Sequence, residues 1–241
     1  MLKYDVQYFQ CSECQFIQTE TPYWLPEAYS SAITETDLGL ASRNVKLHYI
    51  STAVLHYLFN YKGSYIDYGG GYGLFVRLMR DSGFDFYRYD IYCDNIFSKG
   101  FDVSNGKEKS KFKALTAFEV FEHLEKPLDE ISKMFDFSDV ILFTTELQPK
   151  KESINDWWYF TPHTGQHVAL YSEKSLNKIA NYFNAFLYTN GSSIHILSKI
   201  KLNARLLKLL MNQNVSLIYK KIFCRKSLLG QDHELILNNN V

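Results

Sequence analysis

The stretch Tyr65-Ile66-Asp67-Tyr68-Gly69-Gly70-Gly71-Tyr72-Gly73 constrains this chain more than any other. An aromatic and β-branched run carrying an acid enters a glycine cluster. A helical pattern follows over residues 74–81, and a second short run ends at Tyr89-Asp90. That order specifies strand, tight turn, helix, second strand and carboxylate, which is one mononucleotide-binding half of a doubly wound α/β sheet. The backbone there has to turn sharply and approach a ligand where a Cβ would collide. A carboxylate after the second strand can accept from both hydroxyls of a ribose. A glycine-rich surface turn would account for the glycines but not for the whole constellation.

The totals narrow the class. At 241 residues the chain suits one large α/β domain with a small appendage. Its 26 basic and 26 acidic residues balance, so it lacks the electrostatic footprint of a nucleic-acid binder. No signal-like apolar segment opens the chain and no apolar run reaches roughly 20 residues, so a soluble cytoplasmic protein without a membrane span is expected. Four cysteines, two of them isolated at Cys93 and Cys224, do not form a secreted disulfide framework.

Residues 1–36 read as an appendage: a strand over 3–10, a Cys11-Ser12-Glu13-Cys14 knuckle, a returning strand, an aromatic turn and a helical patch over 27–33. A structural zinc wants four ligands, and no second knuckle or histidine pair lies near in sequence. A turn held by packing, with no metal site, is therefore the expectation. Residues 37–200 carry the α/β domain. A helix is expected over 42–60 with Ser42 as its N-cap, and His48 and His56 are simply residues on it. Strands follow at 64–67 and 85–90, with a weak one at 100–103. Further strands are expected at 113–118 and 139–145. Pro127 opens a helix to 135, and Ser172 caps another over 173–183. An antiparallel pair, 186–189 and 194–198, turns at Asn190-Gly191. Residues 201–241 form an extension with a basic amphipathic helix over 201–211.

In this order the pieces resemble a class I S-adenosylmethionine-dependent methyltransferase over roughly residues 40–200. Asp67 to Gly73 resembles the family's first motif, Asp90 its acid after the second strand, and Ala117-Phe118-Glu119-Val120-Phe121-Glu122-His123-Leu124 its block after the fourth. The resemblance implies a Rossmann-like, doubly wound, mostly parallel sheet closed by an antiparallel pair. The Cys-x-x-Cys, Tyr23-Trp24 and the 36–44 stretch are similar to a branch found with bacterial polysaccharide clusters, whose sugar C-methyltransferases carry a two-knuckle zinc ribbon. Here only the second knuckle is present.

The resemblance also implies roles. Tyr68, Gly69, Gly70, Gly71 and Gly73 form the loop on S-adenosylmethionine. Asp67 organises that loop and the cofactor's ammonium. Asp90 takes the ribose, Ile91 packs on adenine, and Phe118 and Glu119 line the sulfonium side. Attack by a hydroxyl or carbon acid needs a base, and histidine titrates in the right range. His123 lies at the cofactor mouth by resemblance. His163 and His167 lie in the 146–169 insert, beyond the carboxyl edge of the sheet. Trp157, Trp158 and Tyr159 offer a platform for a small-molecule or sugar acceptor, and Glu146 could orient a histidine or the substrate. The blander reading of the insert is a hydrophobic lid whose histidines make structural hydrogen bonds. Two other classes stay open: a non-catalytic cofactor-binding or partner subunit of a polysaccharide-cluster complex, and an NAD-linked oxidoreductase. A homodimer is a candidate assembly, through the half-ribbon or the basic helix.

Overall fold

Neighbouring residues on the central strands feed two different cores, as a side-chain period of two requires. Tyr65, Ala114, Leu142 and Ile196 face one core, while Ile66, Leu115, Ile141 and Leu197 face the other. The computed structural model describes residues 4–28, 38–103, 111–150, 153–223 and 225–239. Its elements in chain order are β1 (Tyr8–Gln10), β2 (Ile17–Thr19), α1 (Leu25–Ala28), α2 (Leu40–Phe59), β3 (Ser64–Tyr68), α3 (Leu74–Asp81), β4 (Asp85–Tyr89), β5 (Ala114–Ala117) and α4 (Pro127–Phe137). They continue with β6 (Val140–Thr144), β7 (Ala169–Leu170), α5 (Glu173–Tyr182), β8 (Phe186–Thr189), β9 (Ile194–Ser198), α6 (Ala204–Leu210), α7 (Gln213–Ile222) and α8 (Leu229–Asn239).

The main sheet runs β4-β3-β5-β6-β9-β8. Its first four strands are parallel, and β9 pairs antiparallel with both β6 and β8. Helices α2, α3 and α6 cover one face, and α4 and α5 the other. The protein is thus a Rossmann-like α/β fold with a mostly parallel sheet. From β3 the chain crosses to β4 on one side and later to β5 on the other. The crevice for ligands therefore opens outside the carboxyl ends of β3 and β5. β6 is buried along its whole length, which explains its apolar run Val140–Phe143 before Thr144.

The second sheet, β1-β2-β7, joins the N-terminal hairpin to the insert that follows β6. Its core is Ile17, Trp157, Tyr159 and Leu170. The Cys11–Cys14 turn closes through backbone hydrogen bonds, Cys11 N to Phe16 O at 2.8 Å and Gln15 N to Cys11 O at 2.9 Å. Among the described residues, no group of three ligating side chains includes either cysteine.

Several expectations shift. Helix α2 starts two residues early, and its N-cap is Gly39 with no side-chain cap, not Ser42. The weak strand near 100–103 is a single parallel bridge between Arg88 and Asp102. The 27–33 helical patch is seen only to Ala28; its remainder, like Cys224, lies outside the described residues. The basic C-terminal helix is the shorter α6, capped by Asn203, and α7 and α8 follow it. His48 and His56 hold α2 to its neighbours: His48 Nε2 is 2.6 Å from Ser82 Oγ, and His56 Nδ1 is 2.8 Å from the Tyr219 hydroxyl.

Candidate active site

The loop after β3 is shaped by close approaches. Gly69 has φ +70 and donates to Tyr89 O at 2.8 Å, and a Cβ on it would stand 2.7 Å from Val120 Cγ2. Gly71 has φ +52 and donates to Asp90 Oδ2 at 2.8 Å, and no heavy atom lies within 4 Å of where its Cβ would be. That open side is a cradle at the mouth of the β3–β5 crevice. Arg88 braces the loop from β4, donating to Gly71 O at 2.6 Å, to Asp102 at 2.6 Å and to Cys93 O. Beneath it, Asp67 is buried and accepts from Thr116 Oγ1 at 2.6 Å. Burial pushes its carboxyl up to about 7, with the Thr116 hydroxyl opposing.

Asp90 does more than the sequence implies. Oδ2 accepts from Gly71 N, while Oδ1 accepts from Tyr92 N at 2.7 Å and Cys93 N at 2.9 Å. A carboxylate offers about four acceptor positions, so taking both ribose hydroxyls requires one of these loop bonds to open. Ile91 is exposed on this loop. Phe118 packs edge-on against Phe75, with ring centroids 4.9 Å apart. Tyr68 departs from expectation. Its ring stacks on Tyr89 and its hydroxyl donates to Glu130 Oε2 at 2.6 Å in α4, so only its backbone belongs to the loop.

After β5, Glu119 takes φ +56 and its backbone N donates to Thr144 Oγ1 at 2.8 Å. The Thr144 hydroxyl in turn donates to Glu119 Oε1, and Arg43 approaches Oε2 at 3.4 Å. The chain then forms a 3-10 turn, Phe121–His123, that brings Glu122 and His123 beside the insert. The His123 and His167 rings lie 5.2 Å apart. His123 Nδ1 donates to Gln166 O at 3.0 Å and His167 Nδ1 donates to Tyr159 O at 2.8 Å. Burial lowers both imidazole pKa values, with the Gln166 carbonyl and the Glu122 charge opposing it respectively. Glu122 is fully buried, and that burial with the nearby Glu119 pushes its carboxyl up to about 7. Glu146 is also raised, first by burial and then by Glu119.

The expected acceptor platform is only partly present. Trp157 and Tyr159 are buried in the core of the small sheet, because an indole and a phenol ring are the largest apolar bodies available to fill it. Trp158 is exposed. Tyr159 still borders the site, its ring centroid 4.5 Å from that of His167. His163 sits exposed on the surface and does not join His123 and His167. Glu122 is the residue that sequence reasoning missed. Its signal was an acid three places after Glu119 and next to a histidine, inside an otherwise apolar run.

Residues 43–186 match the family model described as a methyltransferase domain. The chain belongs to this methyltransferase family. Its glycine loop, Asp67 and Asp90 suit S-adenosylmethionine, the methyl donor of such enzymes, because the open side of Gly71 leaves a cradle that a side chain would fill. Among solved methyltransferases, the chain is similar to the plantazolicin methyltransferase BpumL, solved with a monoazolic desmethylPZN analog and SAH. That match has 12% identity and a TM-score of 0.52, and covers 83% of this chain and 88% of that one. It is also similar to the Burkholderia thailandensis 1,6-didemethyltoxoflavin-N1-methyltransferase, solved with 1,6-didemethyltoxoflavin and S-adenosylhomocysteine, at 10% identity and a TM-score of 0.52, covering 80% and 97%. A third match is CalO1, a methyltransferase in calicheamicin biosynthesis, at 10% identity and a TM-score of 0.48. It covers 73% of this chain, which spans 61% of CalO1's length. At such identities the likeness is one of fold. No curated protein sequence matches the chain. No helix among the described residues is long and apolar enough to cross a membrane.

Proposed function

We propose that this chain transfers a methyl group from S-adenosylmethionine to a hydroxyl or carbon atom of a small-molecule or sugar acceptor. The observation that carries this reading is Val120 packed on Gly69, which makes the cofactor loop and the Glu119–His123 segment one wall of the same crevice. The bound cofactor supplies a sulfonium methyl, displaced in line by the acceptor, so positioning supplies much of the rate. Gly69, Gly71 and Gly73 let the loop close on the donor, Asp90 takes its ribose, and Asp67 with Thr116 holds the loop from below. Phe118 and Glu119 line the side from which the methyl leaves. His123 and His167 face the acceptor: each has its Nδ1 hydrogen on a backbone carbonyl, so each keeps the lone pair on Nε2. Their lowered pKa values leave them neutral near pH 7 and able to accept the acceptor's proton. Trp158 is exposed and packs edge-on against Tyr159, which leaves it as the aromatic side chain of the insert free to lie against a ring. A sugar acceptor follows from the resemblance to polysaccharide-cluster enzymes, and the balanced charge offers no support for a nucleic-acid substrate.

The test compares donors by thermal unfolding. S-adenosylmethionine at about 100 times its dissociation constant should stabilise the fold by roughly 2.7 kcal/mol, with NAD giving no shift. Labelled methyl should then pass to a member of a panel of sugar nucleotides and small hydroxylated molecules. No stabilisation by millimolar S-adenosylmethionine would sink the proposal, and binding without transfer to any acceptor would favour a non-catalytic partner subunit.

A further inference from the structure

Glu122 is the side chain the methyl donor does not explain. It is fully buried, and neither carboxylate oxygen has a hydrogen-bond partner among the described residues. The Tyr159 hydroxyl lies near it and near Thr145 without reaching hydrogen-bond geometry with either, and the buried Thr145 hydroxyl is unpartnered too. A carboxylate out of water is strongly disfavoured unless a cation or a donor compensates it. Glu122 aims into the space between two imidazoles whose Nδ1 hydrogens are held by the Gln166 and Tyr159 carbonyls. A carbonyl bond of this kind fixes the tautomer and ring orientation of a metal-bound histidine, leaving Nε2 to coordinate.

We propose that Glu122, His123 and His167 form a binding site for one divalent first-row transition cation, of the Zn2+, Mn2+ or Co2+ class. One ligand atom from each residue lies within 4.8 Å of the others, with His123 Nε2 4.0 Å from Glu122 Oε1. Around a bound cation such atoms stand about 3.0–3.4 Å apart, so small side-chain rotations complete the set. Two imidazole nitrogens with one carboxylate oxygen select this class over Mg2+ or Ca2+, which prefer oxygen throughout. Three protein ligands leave positions open, as in metal sites that also hold a substrate. Those positions suit one or two acceptor oxygens, and only this link rests on the methyl-transfer reading. A bound cation would use the histidine lone pairs and acidify the acceptor oxygen, whose proton would then pass to solvent water, so with metal present the pair acts as ligands rather than bases. The expectation of no metal site considered only Cys11 and Cys14; His123 and His167 are brought together by the fold.

The site is tested on the full chain, stripped with chelator and titrated with Co2+ and Zn2+. One equivalent should bind, raising the melting temperature and giving the weak visible cobalt bands of nitrogen and oxygen ligation. The intense near-ultraviolet band of thiolate ligation should be absent. Cys11→Ser/Cys14→Ser should bind as the natural chain does, while Glu122→Gln and His167→Gln should weaken binding by at least about 100-fold. Metal-free Glu122→Gln should melt no lower than the natural chain, since it removes a buried unpaired charge, and it should keep its shift with S-adenosylmethionine. That retained shift separates loss of the cation from failure of the donor site. The proposal is overturned if the natural chain takes up no equivalent, if uptake is lost with the cysteines, or if both Gln variants bind as tightly as the natural chain.

Discussion

Two residues show how tightly the donor loop is drawn. Gly69 combines a left-handed φ with a Cβ position 2.7 Å from Val120 Cγ2. Gly69→Ala should therefore destabilise the chain by about 1–3 kcal/mol from backbone strain alone, and further from the clash. Val120→Ala in the same chain should recover the clash but not the strain. Urea unfolding of both single variants and the double variant checks this, and additive costs would refute the contact. Asp67 carries a pH dependence. Its folded pKa of about 7 lies above its ordinary 3.8, so the stability tied to its protonated form is complete below about pH 4 and is lost as pH rises through 7. Asn at 67 does not titrate and can still accept from Thr116. Asp67→Asn should therefore gain stability relative to the natural chain between pH 4 and pH 8, by an amount on the order of 4 kcal/mol, while weakening S-adenosylmethionine binding. Equal unfolding free-energy differences at the two pH values would count against the buried charge. Both residues were legible in the sequence, because a glycine cluster behind an acid has few other uses. Glu122 was not, because nothing in a linear block says that its carboxylate will be buried beside a histidine from a distant loop.

At the level of elements, strand and helix periodicity located the sheet well, since β3, α3, β6 and β9 each bury one face or most of their length. Reading failed where an element is fixed by partners distant in sequence. The insert's aromatic residues looked like a platform, yet Trp157 and Tyr159 fill the core that β2 and β7 enclose. Trp24 Nε1 donates to Gly165 O at 2.8 Å and Gln166 Nε2 donates to Ala28 O at 2.8 Å, so the N-terminal segment holds the loop that carries His167. Helix α8 is the clearest case, since the only helix expected in the 201–241 extension was the basic one over 201–211. It is anchored by Asp232, which accepts from Nε and Nη2 along one edge of Arg80 at 3.0 and 2.6 Å and pairs with Arg77 at 2.8 Å. Arg80 also stacks over Phe101, its guanidinium carbon 3.7 Å from the ring centroid. Without Asp232, Arg80 keeps Asp85 at 2.8 Å and Arg77 keeps Asp81 at 2.9 Å, so what is lost is a set of charge-assisted hydrogen bonds and not a whole charge pair. Asp232→Ala should lose about 2–3 kcal/mol in urea unfolding and expose α8 to limited proteolysis first. A change below about 1 kcal/mol would mean that the pair behaves as a surface ion pair.

Across the whole molecule, β9 ties the parallel half of the sheet to its antiparallel edge, and His195 stands near its start, paired with Phe143 on β6 and Thr189 on β8. The imidazole is fully buried, with Nε2 donating to Thr145 O at 2.9 Å and Nδ1 taking the Thr189 hydroxyl at 2.8 Å. Burial lowers its pKa from 6.5 to about 4, with the Thr145 carbonyl opposing. The folded chain therefore holds His195 neutral where the unfolded chain would protonate it. The stability this contributes is complete above about pH 6.5 and drains away as pH falls toward 4, by about 3 kcal/mol in all. Asp67 runs in the opposite direction over part of the same interval, so the pH slope of the natural chain alone does not isolate the histidine. The difference between two chains does. His195→Gln cannot titrate and loses part of the two hydrogen bonds, so it should be less stable than the natural chain at pH 7. It should then lose about 3 kcal/mol less on acidification to pH 4, because Asp67 titrates alike in both and cancels. Parallel stability curves for the two chains between pH 7 and pH 4 would show that the imidazole does not stay neutral in the fold, and that the junction between the two halves of the sheet tolerates a charge.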